Sequence, residues 1–399
     1  MAIKHFQIEL DKSSHTYYAG ETMNGVVTLV LDAPKKIRGV SLQFKGVAEV
    51  KWTERRGAGK NRRVIHFHGR TDYMNHTTYI TGSSDGESFH LPAGTHIYNF
   101  SCALPANLAT SVEAKRGYIR YTIKVTLNRA WMLDKSYKMG FTVLQLLDLN
   151  VLSNVRLPIK MDVTKTFCCW PCRTGPLHMS AQLPISGYVP GQTIVVMVTV
   201  DNRSERILGK IVTRLVQHTT YVSKTPHQET IKESSEIVQA ESAASNETEK
   251  SCYEHHLFIP PLTPTNISCE VLQITYRVEI KTTNSFGWSP TVKIPITLGT
   301  IPLVSSAIPR FEEVTLPADQ QCKPGASGED PECNTNYPIE LPPPTYEEVM
   351  NAHRVNIQDE DEKNEIGCED FSPRYLIYRF PPVPCAPPAE SEVSRKQSA

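Results

Sequence analysis

Cys169-Trp170-Pro171-Cys172 spaces two thiols as a C-x-x-C pair, with Cys168 just before them. A thioredoxin-type redox pair needs a helix N-terminus beside a βαβ unit to depress a thiol pKa. Here the context is a connection between two β-rich segments. Zinc would need further ligands, yet no second C-x-x-C or H-x-H stands at finger spacing, and His66 and His68 lie far upstream. S-acylation of Cys168 and Cys169 would anchor the chain to a membrane. Buried or inert thiols are the plain reading. No cofactor is expected, and a metal- or redox-responsive binding protein using Cys168, Cys169 and Cys172 is kept as an alternative.

Lys51, Arg55, Arg56, Lys60, Arg62, Arg63 and Arg70 form a basic stretch that falls mostly in a long, turn-rich loop expected within 53–85. The plain reading is a solvated surface. The sharper one is contact with an anion, either acidic lipid headgroups or a phosphorylated peptide. Nucleic acid is not expected as a partner. Aromatic residues are not interleaved at RNA-binding spacing, and no DNA-reading helix is evident.

Pro343-Pro344-Thr345-Tyr346 is a PPxY sequence, the ligand pattern of WW domains. Prolines favour the stiff, solvated polyproline II form, so docking in an aromatic groove costs little ordering entropy. Pro343, Pro344 and Tyr346 are the candidate contact residues. Thr345 and Glu348 have capping-box spacing, which predicts a helical turn starting at the tyrosine. A proline-rich linker without function is the bland alternative. Ser372-Pro373-Arg374-Tyr375 is a near miss, with serine where the first proline belongs. G-x-S-x-G, phosphate-binding glycine loops and H-E-x-x-H are all missing, so no enzyme is expected.

The net charge of zero is unevenly spread. Residues 1–155 hold 20 Lys+Arg against 12 Asp+Glu, whereas 301–399 hold 8 against 18, so a mildly basic front is followed by an acidic tail. That balance suits an anionic surface better than duplex DNA. The first residues contain no signal-peptide core and no long apolar run follows, so a cytoplasmic chain with ten reduced cysteines is expected.

The chain repeats itself. Tyr17-Tyr18-Ala19-Gly20-Glu21-Thr22 matches Tyr188-Val189-Pro190-Gly191-Gln192-Thr193, and the register carries Phe44 onto Leu215. After a shorter stretch in the second copy, Leu104-Pro105 matches Ile259-Pro260 and Tyr121 matches Tyr276. Each copy alternates with period two, as in Tyr121-Thr-Ile123-Lys-Val125 and Tyr276-Arg-Val278-Glu-Ile280, which puts one face on a core and the other in water. Turn-bounded strands over about 150 residues predict an all-β chain with one β-sandwich per copy. The expected division is a first lobe at 1–155, whose last strand falls in Val143–Leu152, a linker at 156–175, a second lobe at 176–303 and a disordered tail at 304–399. The stretch 302–399 holds 15 of the 29 prolines and cannot bury a core. Phe371–Phe380 is an aromatic island that could be a docking peptide or could fold back on a sandwich.

Two such tandem units followed by PPxY resemble the arrestin fold, and specifically the α-arrestins. The resemblance rests on Tyr18-Ala-Gly-Glu21 before Gly25-Val-Val, Cys168-Cys169-Trp170 before Gly175-Pro176, Gly187-Tyr188-Val-Pro-Gly191, and Leu298-Gly-Thr-Ile-Pro-Leu303 as a closing strand. It covers about residues 1–303 plus the PPxY, and implies two immunoglobulin-like β-sandwich lobes. It also implies an adaptor whose lobes engage receptor or transporter cargo and whose Pro343, Pro344 and Tyr346 recruit WW domains of HECT-type ubiquitin ligases. Cargo ubiquitylation, endocytosis and transport at the plasma membrane and endosomes would follow. A signalling scaffold without ubiquitin output is the alternative. In the thioredoxin-interacting branch of the family a cysteine of the second lobe binds thioredoxin. That slot aligns here with Glu249, and Cys252 is displaced by three residues.

Overall fold

A computed structural model describes residues 3–130, 132–169, 172–204, 206–245, 250–283, 290–304, 345–348, 355–358, 365–368 and 370–380. In the first lobe, β1 (Ile3–Leu10), β3 (Thr22–Leu31) and β7 (Gly94–Ala103) form an antiparallel sheet in the order β1-β3-β7. The facing sheet runs β2 (Thr16–Tyr18), β10 (Lys135–Leu144), β9 (Gly117–Arg129), β4 (Lys35–Arg56), β5 (Arg63–Gly82). Two short strands, β6 (Phe89–Leu91) and β8 (Val112–Ala114), pair with β4 and β9. The alternating residues do what period two demands: Val27, Leu29, Leu42, Ile123, Val125, Phe141 and Val143 are fully buried. Phe44 meets Phe100 across the two sheets, ring centroids 5.8 Å apart.

The second lobe repeats this order. One sheet is β11 (Ile159–Cys169), β12 (Cys172–Leu183), β14 (Thr193–Asn202), β17 (Ser251–Phe258). The other is β13 (Gly187–Tyr188), β19 (Thr291–Leu298), β18 (Leu272–Thr282), β15 (Lys210–Val222), β16 (Thr230–Ala243). The path β13-β19-β18-β15-β16 therefore corresponds to β2-β10-β9-β4-β5. Even the unusual parallel pairing of β2 with β10 recurs between β13 and β19. The matched tyrosines have one job in both copies. The buried Tyr121 hydroxyl donates to the Ala109 carbonyl at 2.7 Å, and the buried Tyr276 hydroxyl donates to the Thr263 carbonyl at 2.6 Å.

Four expectations need correction. Residues 156–175 are not a free linker: β11 and β12 form a hairpin on the second lobe's sheet, Ile159 opposite Leu183. The last strand of the first lobe stops at Leu144, and short 3-10 turns at Leu149–Val151 and Ser153–Arg156 carry the chain onward. The long loop at 53–85 is chiefly ladder, because β4 and β5 stay paired from Gly39–Gly82 to Arg56–Arg63 around a tip at Gly59–Asn61. The tail is not wholly unfolded, because parts of residues 345–380 are paired strands or packed on the lobes.

His255 on β17 is buried between Thr213 Oγ1 (2.7 Å from Nδ1) and Ser242 Oγ (2.9 Å from Nε2). Burial, helped by the neighbouring His256, holds its pKa below the usual histidine value. The unfolded chain therefore takes up this proton first, and stability falls as pH drops from about 6.5 toward the lower folded value. Denaturant midpoints measured between about pH 7 and 5.5 are expected to fall less steeply in His255→Asn than in the wild type.

Candidate partner-binding site

The lobes join where the end of the second meets the connection leaving the first. Leu147 N–H donates to Thr300 Oγ1 at 2.7 Å, Thr300 N–H to the Leu147 carbonyl at 2.9 Å, and Asn150 Nδ2 to the Pro302 carbonyl at 2.8 Å. The aromatic island of the tail lies across this seam. Phe371 sits on Gly140 of β10, where a Cβ would come within 2.5 Å of its ring. Arg374 N–H donates to Thr142 Oγ1 at 3.1 Å, also on β10. The Tyr375 hydroxyl donates to the Ser111 carbonyl at 3.1 Å, and Tyr375 and Leu376 pack as a buried group with Leu144. Burial raises the Tyr375 pKa, so the phenol stays protonated. On the second lobe, the Tyr378 hydroxyl donates to the Thr300 carbonyl at 2.7 Å and its N–H to the Pro190 carbonyl at 3.0 Å. Gly191, at φ +96°, lets that approach happen: a Cβ there would lie 1.8 Å from the Tyr378 carbonyl oxygen. The near-miss tyrosine of Ser372-Pro373-Arg374-Tyr375 is thus a core residue, 2% exposed, and is not presented to a partner.

This docked segment contains β22 (Arg374–Ile377), which pairs antiparallel with β20 (Thr345–Glu348). Tyr346 stands opposite Leu376 in that ribbon. The helical turn expected from Thr345 and Glu348 is replaced by extended backbone, because β22 offers ladder partners that an isolated turn lacks. Pro343, Pro344 and the Tyr346 side chain lie outside the described residues. A third tail strand, β21 (Glu365–Cys368), pairs parallel with β10 at Ser136–Lys138.

The basic residues are spread along the β4–β5 hairpin, and several are committed to partners. Arg56 binds Glu54 and, across the lobes, Glu229 at 3.0 Å, with its guanidinium over Phe67. Arg70 grips Asp72 with two nitrogens. Lys51 reaches Glu49 at 2.9 Å. Arg55, Arg62 and Arg63 are exposed and have no ion pair among the described residues, while the Lys60 side chain lies outside them. Glu49 itself is buried, and also faces His68 Nε2 at 2.8 Å and the Tyr118 hydroxyl at 2.6 Å. Burial opposes its charge, but hydrogen bonds from Tyr118, Lys51 and His68, with the Lys51 charge, outweigh that and hold its carboxyl at about 2. This inward-facing carboxylate was not visible from sequence, where Glu49 is one acid beside a basic run.

Cys168 and Cys169 end β11 and Cys172 begins β12, so the cluster caps a β-hairpin rather than a helix. Their side chains lie outside the described residues, among which no group of three His, Cys, Asp or Glu gathers to hold a metal. Cys252 is disulfide-bonded, which corrects the expectation of ten reduced thiols; Cys102 and Cys269 are free. Glu249 lies outside the described residues. Among those residues, no helix is long and apolar enough to cross a membrane.

Duplicated sandwiches joined in this way define an arrestin. Residues 6–150 match the family model "Arrestin (or S-antigen), N-terminal domain", and residues 173–303 match the corresponding C-terminal domain. The chain is 30% identical over 345 residues to arrestin domain-containing protein 17 of Caenorhabditis elegans, covering 82% of this chain and 78% of that protein. It is 27% identical to human arrestin domain-containing protein 4 (73% of this chain, 70% of the relative) and 24% identical to mouse arrestin domain-containing protein 1 (75% and 65%). The chain belongs to the arrestin domain-containing proteins, the α-arrestins.

Proposed function

We propose that the chain is a non-enzymatic adaptor linking membrane-protein cargo to WW-domain HECT-type ubiquitin ligases, so promoting cargo ubiquitylation, endocytosis and endosomal transport. The observation that carries this is Pro343-Pro344-Thr345-Tyr346 in the tail of a two-lobed α-arrestin. The lobes choose the cargo, and Pro343, Pro344 and Tyr346 bring the ligase. The protein acts from the cytoplasm, recruited to plasma membrane and endosomes. Arg55, Arg62 and Arg63 at the hairpin tip, with Lys60 between them, offer the contact to acidic headgroups. Lys51, Arg56 and Arg70 contribute less because their charges are partly spent on Glu49, Glu229 and Asp72.

Co-precipitation with a WW-containing HECT ligase tests the reading. Tyr346→Ala is expected to lower capture by roughly 30-fold or more, the loss typical of an aromatic anchor. Undiminished capture would leave an arrestin-fold scaffold without ubiquitin output.

A further inference from the structure

We infer that the seam between the lobes is a docking groove for the chain's own Phe371–Tyr378 segment, and that this docking withholds the ligase-binding tyrosine by holding it in a β-ribbon. The inference rests on the adaptor reading and adds its regulation. A WW domain takes its ligand as a solvent-facing polyproline II segment. In the structure the backbone from Thr345 to Glu348 is instead strand, laddered to Arg374–Ile377. Thr345 and Tyr346 belong both to the motif and to the strand, and they cannot hold both conformations at once.

The two strands are held very unequally. β22 is anchored by buried side chains on both lobes: Phe371 on Gly140, Tyr375 on Ser111 and Leu144, and Tyr378 on Thr300 and Pro190. Among the described side chains of β20, Thr345 is exposed and Glu347 makes a solvent-exposed ion pair with Arg379 at 3.4 Å. A two-stranded ribbon of four residues a side is marginal in water by itself, so β20 depends on β22 being fixed to the body. A ligase can therefore peel β20 away, but only against the ladder. Apparent affinity falls by the fraction of chains whose tyrosine is unladdered. Anything that lifts Phe371–Tyr378 from the seam should free the motif completely.

Titration of a tandem WW domain from a HECT-type ligase tests this on the full-length chain. The ligands are wild type, the tail variant Tyr375→Ser/Tyr378→Ser, the lobe variant Gly140→Val, and a synthetic peptide spanning Leu341–Val349. The peptide and both variants are expected to bind about tenfold more tightly than wild type. Hydrogen exchange at Thr345–Glu348 should be faster in both variants. The tail variant leaves every lobe residue in place, so misfolding of Gly140→Val would not spare the inference. If the peptide binds but wild type and the tail variant bind equally well, the ribbon does not withhold the tyrosine. If the peptide itself fails to bind, the adaptor reading falls, and this inference with it.

Discussion

Alanine at position 276 is expected to destabilise the second lobe by about 3–5 kcal/mol, the usual range for deleting a buried aromatic ring. Tyr276 is fully enclosed in β18, and its hydroxyl is the donor to the Thr263 carbonyl. Burial raises its pKa well above the ordinary tyrosine value, with the nearby Tyr375 adding to the shift. Truncation would therefore open a cavity, orphan a carbonyl and undermine the floor on which the tail rests. Against a typical total of about 5–15 kcal/mol, such a loss is a large fraction. Phenylalanine separates the terms: it keeps the ring and loses only the hydrogen bond, so it should cost about 1–3 kcal/mol. Urea unfolding of both variants measures this, and a Tyr276→Ala midpoint close to wild type would show that the site collapses without penalty. Tyr121 fills the equivalent place in the first lobe, and its alanine variant should behave alike.

Acid should strike the first lobe through Glu49. Its carboxyl is held at about 2 in the folded chain, against about 4.5 for an ordinary glutamate. A depressed carboxylate contributes stability that is complete above the unfolded pKa and is lost as pH falls through the folded one. The expected loss between about pH 5 and pH 2 is on the order of 3 kcal/mol. Glu49→Gln should flatten that part of the pH–stability curve while starting from a lower value at neutral pH, since Tyr118 and Lys51 lose a charged acceptor. Guanidinium denaturation at several pH values reads both effects, and equal acid slopes in variant and wild type would remove Glu49 from the account.

The architecture was legible because duplication and alternation are local signals. Tyr121 and Tyr276 could be matched by eye, and the shared hydrogen-bond geometry shows why both copies keep them. The errors came where pairing is decided at a distance. Nothing around Gly57 and Gly59 announces that the strands on either side remain laddered for some twenty residues. Thr345 and Glu348 have the spacing of a helix cap, yet extended backbone prevails because Arg374–Ile377 lies beside them. The tail's composition predicts disorder on average, and average composition misses a segment of a few aromatic residues that fits one seam. Glu49 was missed for the same reason, because its three partners come from three different places along the strands.

The Tyr375 hydroxyl and the Ser111 carbonyl are separated by 264 residues of chain. Contacts so remote in sequence bring a large loop-closure entropy and form late. On the ribosome the first lobe emerges before the second, and Phe371–Tyr378 appears only after Gly140, Pro190 and Thr300 are already synthesised. A nascent or truncated chain whose second lobe is incomplete has no seam to receive the segment. Closure of the seam by Phe371–Tyr378 therefore requires that both lobes be in place, since its partners Thr142 and Ser111 belong to one and Pro190 and Thr300 to the other.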